Sequence, residues 1–271
     1  MKRFILSRSP GVDGTVRLVG EDYHYLVRVR RLAPGETFPV RLPGGGETLV
    51  RILAVENGVL TGACVPAAGA PAGAASPPLP PLILFQALPR GAKMDLIVRQ
   101  AAEGGLAEIV PFVSEHSIPR PEDGGPGNRL RRWEKIVREA RQQSGSPIAT
   151  AVRPPLDPEG LFEYWQELRG GGRNVLGLLF HQSPLEQASL HRYLGMEPEL
   201  VVLAIGPEGG FSPGEVSRFL KADFKPLTIG DTVLRTETAA LYGAAAVRTI
   251  LLERSSWLPK TPPSSGSGSI Y

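Results

Sequence analysis

Hydrophobic residues along this chain follow two rhythms that change about a quarter of the way in. Before the change they fall in short runs with roughly alternating apolar positions, Thr15–Val19, Glu36–Leu42, Thr48–Val55 and Gly58–Gly62, with a Gly44-Gly45-Gly46 turn between the second and third. Alternation of this kind bounded by glycine predicts strands and turns, and several short strands close together predict a small β-barrel. After the change, Pro81–Leu88 is an unbroken apolar run that predicts a buried strand. From Ala92 to Glu103 the residues Met94, Ile97, Val98 and Ala101 recur on one helical face, and Gly104-Gly105 stops the helix. Leu106–Val113 predicts another strand. Arg129–Gln143 predicts a helix with the stripe Leu130, Trp133, Val137 and Ala140, its basic residues lying largely elsewhere, and Asn174–Phe180 and Leu200–Ile205 predict two more buried strands. Strands alternating with helices predict a parallel sheet with helices on its faces, an α/β architecture.

The junction between the rhythms is itself informative. Residues 66–81 hold six prolines and no charge, so neither a helix nor a central strand passes through them. The predicted division is therefore a first domain over 1–68, a linker over 69–80, a second domain over 81–254, and a Ser/Gly/Pro-rich tail over 255–271 expected to be disordered. A chain of 271 residues with 42% hydrophobic content fits one or two domains. No apolar run reaches the length of a membrane span, and Met1–Leu6 meets Ser7-Arg8 too soon for a signal peptide, so a cytoplasmic protein without a membrane partner is expected. Cys64 stands alone and the four histidines include no i, i+4 pair, which argues against a disulfide framework and a metal site. Residues 1–70 hold nine Lys/Arg against six Asp/Glu, while the remainder is balanced, so a polyanion is expected to meet the first domain.

Two segments carry the chemistry. Ile205-Gly206-Pro207-Glu208-Gly209-Gly210-Phe211-Ser212 and Ile229-Gly230-Asp231-Thr232-Val233-Leu234-Arg235-Thr236-Glu237-Thr238-Ala239 each follow a short apolar stretch and run into a helix. Open α/β sheets place their ligand-binding loops at such junctions. Ser212-Pro213-Gly214-Glu215 reads as an N-cap, a first-turn proline and a capping-box glutamate. Glu208 lies inside the turn, between a proline that stiffens the backbone and glycines that let a ligand approach. A phosphate cradle is disfavoured, because there is no Gly-Lys-Ser/Thr and an acidic residue occupies the loop. In the second loop Thr236 or Thr238 suits an N-cap and Glu237 suits the helix dipole, while the permanently charged Arg235 suits a phosphate or a substrate carbonyl. His24 and His181 read as ordinary packing or surface residues.

These two loops resemble the signature of the RsmE family, ribosomal small-subunit RNA methyltransferases that use S-adenosylmethionine to methylate N3 of a uridine in 16S rRNA. Further matches are His24–Leu32, Lys93–Ile97 with Ala101–Glu103, and Trp133–Ile136 through Glu139-Ala140 to Gln143-Ser144. Gln100 departs from the basic residue usual there, and Gly145-Ser146-Pro147 replaces an arginine usual after the Gln-Ser pair, with Arg141 or Arg153 as substitutes. The resemblance implies an N-terminal PUA-like RNA-binding β-barrel, a C-terminal SPOUT domain closed by a trefoil knot, and a homodimer. It implies that S-adenosylmethionine sits against Ile205, Gly206, Pro207, Glu208, Gly209, Gly210, Ile229, Gly230, Leu234, Arg235 and Thr236. The partner implied is 16S rRNA or the small ribosomal subunit, with Lys2, Arg3, Arg28, Arg30 and Arg31 on its phosphates. Arg235 is expected to stabilise the uracil anion or its phosphate, and Glu237 or a relayed water to take the N3 proton. A 2′-O-ribose methyltransferase of the same fold and a non-catalytic RNA-binding assembly factor remain the alternatives.

Overall fold

The computed structural model describes residues 4–6, 9–42, 47–65, 79–118, 126–182 and 185–254. Lys2, Arg3, the Gly44–Gly46 turn, residues 69–78 of the expected linker and the tail from 255 lie outside that set. The first domain is a five-stranded sheet of order β1-β3-β4-β5-β2, built from β1 (Phe4–Ile5), β2 (Thr15–Val19), β3 (Thr37–Arg41), β4 (Glu47–Glu56) and β5 (Val59–Val65). Only the β1–β3 pairing is parallel. Alternate residues Val16, Leu18, Phe38, Val40, Val50, Ile52 and Leu60 close one core with Phe4, Leu6 and Leu26. Between β2 and β3 the chain makes a short helix, α1 (Gly20–Tyr23), continued by a π-helical turn over His24–Val29. That turn buries Leu26 and turns Arg28 outward.

The second domain is a six-stranded, all-parallel sheet of order β11-β9-β10-β6-β7-β8. Its strands are β6 (Leu82–Ala87), β7 (Glu108–Phe112), β8 (Ala151–Val152), β9 (Val175–Phe180), β10 (Leu200–Ile205) and β11 (Lys225–Leu227). The helices are α2 (Lys93–Glu103), α3 (Pro126–Ser144), α4 (Pro158–Arg169), α5 (Leu190–Leu194), α6 (Pro213–Lys221) and α7 (Thr236–Arg254). The pleat sends Leu82, Leu84, Val201, Leu203 and Ile205 to one face, where α2, α3, α5 and α7 pack, and Ile83, Phe85, Val202 and Ala204 to the other, where α4 and α6 pack.

Two close approaches fix the sheet's contents. A Cβ at Gly177 would stand 2.8 Å from the Phe224 ring and 2.9 Å from Trp165, and one at Gly243 would stand 2.3 Å from Phe180, so α7 lies on the end of β9 at a distance only glycine allows. The domains meet along α3. Arg41 donates to the Gly145 carbonyl, and Gln142 lies 3.5 Å from the Asp22 carboxylate.

Candidate functional site

The order in which strands are added reverses between β6 and β10, while all strands stay parallel: from β6 they step outward one way to β7 and β8, and β9 and β11 lie on the other side of β10. A crevice forms above the strand ends at such a point, which is where doubly wound sheets bind ligands. Here a cavity of about 630 Å³ opens above β6, β9, β10 and β11, within the roughly 300–1,000 Å³ range of small-molecule sites.

The loop after β10 and the loop after β11 form its walls. Ile205, Gly206, Pro207, Glu208, Gly210, Ile229, Gly230, Leu234, Arg235 and Thr236 all line it. Gly209 faces away, with its Cα side against His116. Gly210 and Gly230 take φ values of +70° and +76°, left-handed positions that turn backbone groups inward without a side chain. Phe180, Leu227 and Ile229 supply apolar wall, Asp231 of the second loop adds a carboxylate, and Lys93 and His181 supply polar groups that the two motifs do not contain. Flat apolar wall beside turn amides and carbonyls suits a heterocycle carrying hydroxyl and amino groups, so these residues fit S-adenosylmethionine.

Residues distant in sequence hold the first loop. Glu208 accepts from Lys93 Nζ at 2.6 Å and from the Arg90 amide at 3.1 and 3.3 Å. Burial pushes its carboxyl up, but the hydrogen bonds from Lys93 and two backbone amides, with the charge of Lys93, outweigh burial and leave it below its ordinary value. His116 Nδ1 lies 3.2 Å from the Gly209 carbonyl and 3.0 Å from that of Gly210. Carbonyls only accept, so Nδ1 carries the proton in this contact. The capping box at α6 is present, Ser212 accepting from the Glu215 amide at 3.1 Å while Glu215 accepts from the Ser212 amide at 2.9 Å. Glu215 also accepts from Ser114 Oγ and the Glu115 amide, both at 3.1 Å, which ties the loop after β7 to the site.

Thr236 joins the two walls. Its hydroxyl donates to the Gly206 carbonyl at 2.6 Å and accepts from Gln86 Nε2 at 3.0 Å, all at the end of β6 and the start of α7. Thr236 and Gln86 are both buried, so each bond is worth more than a surface one. Arg235 is exposed at the cavity edge and, among the described residues, makes no side-chain hydrogen bond or ion pair. Glu237 does not form part of the wall. It stands behind Lys93, whose Nζ lies 4.0 Å from Glu237 Oε2, an oxygen buried without a hydrogen-bond partner among the described residues.

The remaining expected residues lie elsewhere. Arg28 and Arg31 are exposed and Arg30 is half-buried, on the π-helical turn and just after it. These arginines thus stand on or beside a helical turn, not on a strand edge. Neither substitute for the missing arginine reaches the cavity: Arg153 is bound to Glu108 at 2.5 Å on the β8 edge and covers the Tyr164 ring at 3.9 Å, while Arg141 is partly buried on α3.

Against known proteins, a family model described as an RNA methyltransferase domain matches residues 76–248. The ribosomal RNA small subunit methyltransferase E of a Synechocystis strain is 31% identical over 92% of this chain and 78% of its own. That of Bacillus subtilis is 24% identical over 86% of this chain and 89% of its own. A crystal structure of ribosomal RNA small subunit methyltransferase E from Neisseria gonorrhoeae bound to S-adenosyl methionine superposes with a TM-score of 0.74 at 27% identity, covering 92% of this chain and 98% of that one. Fold, cavity and both loops converge on the same conclusion: this chain belongs to the RNA methyltransferase family that includes the ribosomal RNA small subunit methyltransferase E proteins.

Proposed function

We infer that the protein transfers the methyl group of S-adenosylmethionine to N3 of a uridine in 16S ribosomal RNA. The observation that carries this reading is the convergence of the two motif loops on one cavity at the switch point of the sheet. When bound, the cofactor supplies an electrophilic methyl carbon. The chain's own residues bind, align and exclude water. Glu208, Gly210 and Gly230 shape the pocket for the cofactor, and Thr236 fixes the two loops at one separation. Arg235, without a side-chain partner among the described residues and exposed at the rim, is the group best placed to stabilise an anionic base or its phosphate. The Glu237 role shifts accordingly. Glu237 stands behind Lys93, 4.0 Å from its Nζ, rather than on the wall, and a solvent-relayed route takes the N3 proton.

The first domain supports a PUA-like barrel that positions RNA through Arg28, Arg30 and Arg31, together with Lys2 and Arg3. A trefoil-knotted path of the C-terminal segment rests on the family resemblance, and the bond from Thr236 to the Gly206 carbonyl holds the two loops it would involve side by side. Homodimerisation is supported by exposed Leu241 and Tyr242 on α7 beside an apolar groove of about 270 Å³ between α2 and α7. A site of action on ribosomal RNA supports a cytoplasmic location.

The test is methylation of 16S rRNA and of small subunits with labelled cofactor, followed by nucleoside analysis. The expected product is 3-methyluridine. A 2′-O-methylated nucleoside would overturn the assignment of the target atom, and absence of cofactor binding by calorimetry would overturn the enzymatic reading.

A further inference from the structure

The first domain is not where the positive charge is concentrated. Of the chain's 30 Lys/Arg and 27 Asp/Glu, α3 alone holds six and two, so the rest of the molecule carries a net charge of −1. Trp133, Val137 and Ala140 bury one side of that helix, leaving Arg131, Arg132, Lys135 and Arg138 to solvent, while Arg141 is partly buried. The Arg132, Lys135 and Arg138 side chains are between 54% and 66% exposed, and Arg131 is exposed beside them. Their local pairing is weak. Lys135 and Arg138 both reach toward Glu21 of the first domain at 3.8 Å, and Glu21 is itself exposed.

The position of α3 gives this charge a direction. At one end Arg132 contacts Asp95, two residues from the Lys93 that lines the cofactor cavity. At the other, Gln142 and Gly145 abut Asp22 and Arg41 of the first domain. Arg131, Lys135 and Arg138 follow one another at helical spacing on the solvent side, over about 10 Å of axis. The helix thus spans from the first domain to the neighbourhood of the cavity.

Resting on the RNA methyltransferase reading, we propose that the solvent face of α3, centred on Arg131, Lys135 and Arg138, is a phosphate-binding track that guides the substrate RNA from the first domain to the cofactor cavity. The contacts are to backbone phosphates, so they add affinity without reading sequence. Glu21 is a built-in competitor: it occupies Lys135 and Arg138 until a phosphate displaces it.

The experiment measures binding of full-length protein to a 16S rRNA fragment at several salt concentrations between 50 and 200 mM. The triple variant Arg131→Gln, Lys135→Gln, Arg138→Gln is expected to bind on the order of 10- to 100-fold more weakly, and the slope of log affinity against log salt should become shallower by about two to three. Its affinity for S-adenosylmethionine, read by calorimetry, and its unfolding temperature should match the parent. Glu21→Gln should move the other way, strengthening RNA binding by a factor of about two. An unchanged slope in the triple variant, or weaker binding in Glu21→Gln, would overturn the track. Loss confined to assembled subunits, with naked RNA unaffected, would also overturn it, since the stripe would then meet a ribosomal protein. Failure of the parent itself to bind RNA or cofactor would instead defeat the enzymatic reading.

Discussion

Glu208→Gln isolates the contact that holds the first cofactor loop to the rest of the site. The carboxylate receives Lys93 Nζ at 2.6 Å and the Arg90 amide at 3.1 and 3.3 Å, with its side chain 25% exposed. A carboxamide presents one accepting oxygen where the carboxylate presents two. If that oxygen takes the Oε1 position it still accepts from Lys93 and, at 3.1 Å, from the Arg90 amide, but the new NH2 group replaces the acceptor 3.3 Å from the Arg90 N–H, donor against donor, and the Lys93 ammonium loses its counter-charge. A hydrogen bond between charged groups contributes about 1.5–3 kcal/mol when buried, and partial exposure reduces this to about 1–2 kcal/mol here. Spent on holding the loop in its binding geometry, that difference weakens S-adenosylmethionine about 5- to 30-fold. Isothermal calorimetry reads it directly. The same variant has a pH signature. Because the folded carboxyl lies below its ordinary value of 4.5, its contribution is complete at neutral pH, begins to fail as pH falls into the ordinary carboxylate range, and is gone below the folded value. The stability difference between parent and Glu208→Gln should therefore be constant from pH 8 to about pH 6 and shrink on acidification through about pH 4. Equal cofactor affinity in the two proteins, or a stability gap that widens in acid, would refute the reasoning.

Arg235→Ala should abolish methyl transfer while cofactor affinity, measured by calorimetry, stays within about twofold, because the guanidinium makes no bond that supports the loop; wild-type turnover would remove it from the reaction. Thr236→Val keeps the shape but strands the Gly206 carbonyl and one Gln86 amide proton, and urea unfolding should report a loss of about 2 kcal/mol that Thr236→Ser largely restores. Gly243→Ala puts a methyl 2.3 Å from the Phe180 ring, whose movable end lies at the cavity; cofactor affinity should fall about tenfold or more, and a second change, Phe180→Leu, should recover most of it.

What could be read from the residues alone divides by the range of the interaction. The strand at Leu200–Ile205, the turn at Gly206–Gly210 and the capping box at Ser212–Glu215 are local, so their types and spacing specify them, and the structure contains each. The same holds for the α2 stop, where Gly105 takes a φ of +69° and Arg248 donates to its carbonyl at 3.0 Å. The helix α4 is opened by Asp157 as cap and Pro158 in its first turn, yet it goes unpredicted, because with only Leu161 and Trp165 fully buried its apolar stripe is faint. The two-residue strands β1 and β8 and the three-residue β11 are too short for any periodicity. The π-helical turn over His24–Val29 shows tertiary packing overriding propensity: burying Leu26 among Phe4, Phe38 and Leu60 decides its form.

The cofactor site shows most clearly where local information ends. Lys93, Gln86 and His116 meet the first and second loops from 115, 150 and 93 residues away, and each contact exists only because β6 pairs with β10 rather than with β9 or β11. Strand order is set by the whole set of helix-on-sheet packings, so no window of sequence contains it. The charge distribution follows the same logic. Summed along the chain, the second domain carries a net charge of only −1; resolved by face, α3 is strongly basic and the remainder of that domain is acidic. A ligand responds to the charge on a surface within about a Debye length, roughly 8–10 Å at ordinary salt, and not to the charge on a stretch of sequence. The segment totals that pointed to the first domain thus averaged away the helix lying between that domain and the cavity, because summing Arg131, Lys135 and Arg138 with acidic residues on distant faces mixes charges that a bound phosphate never sees together.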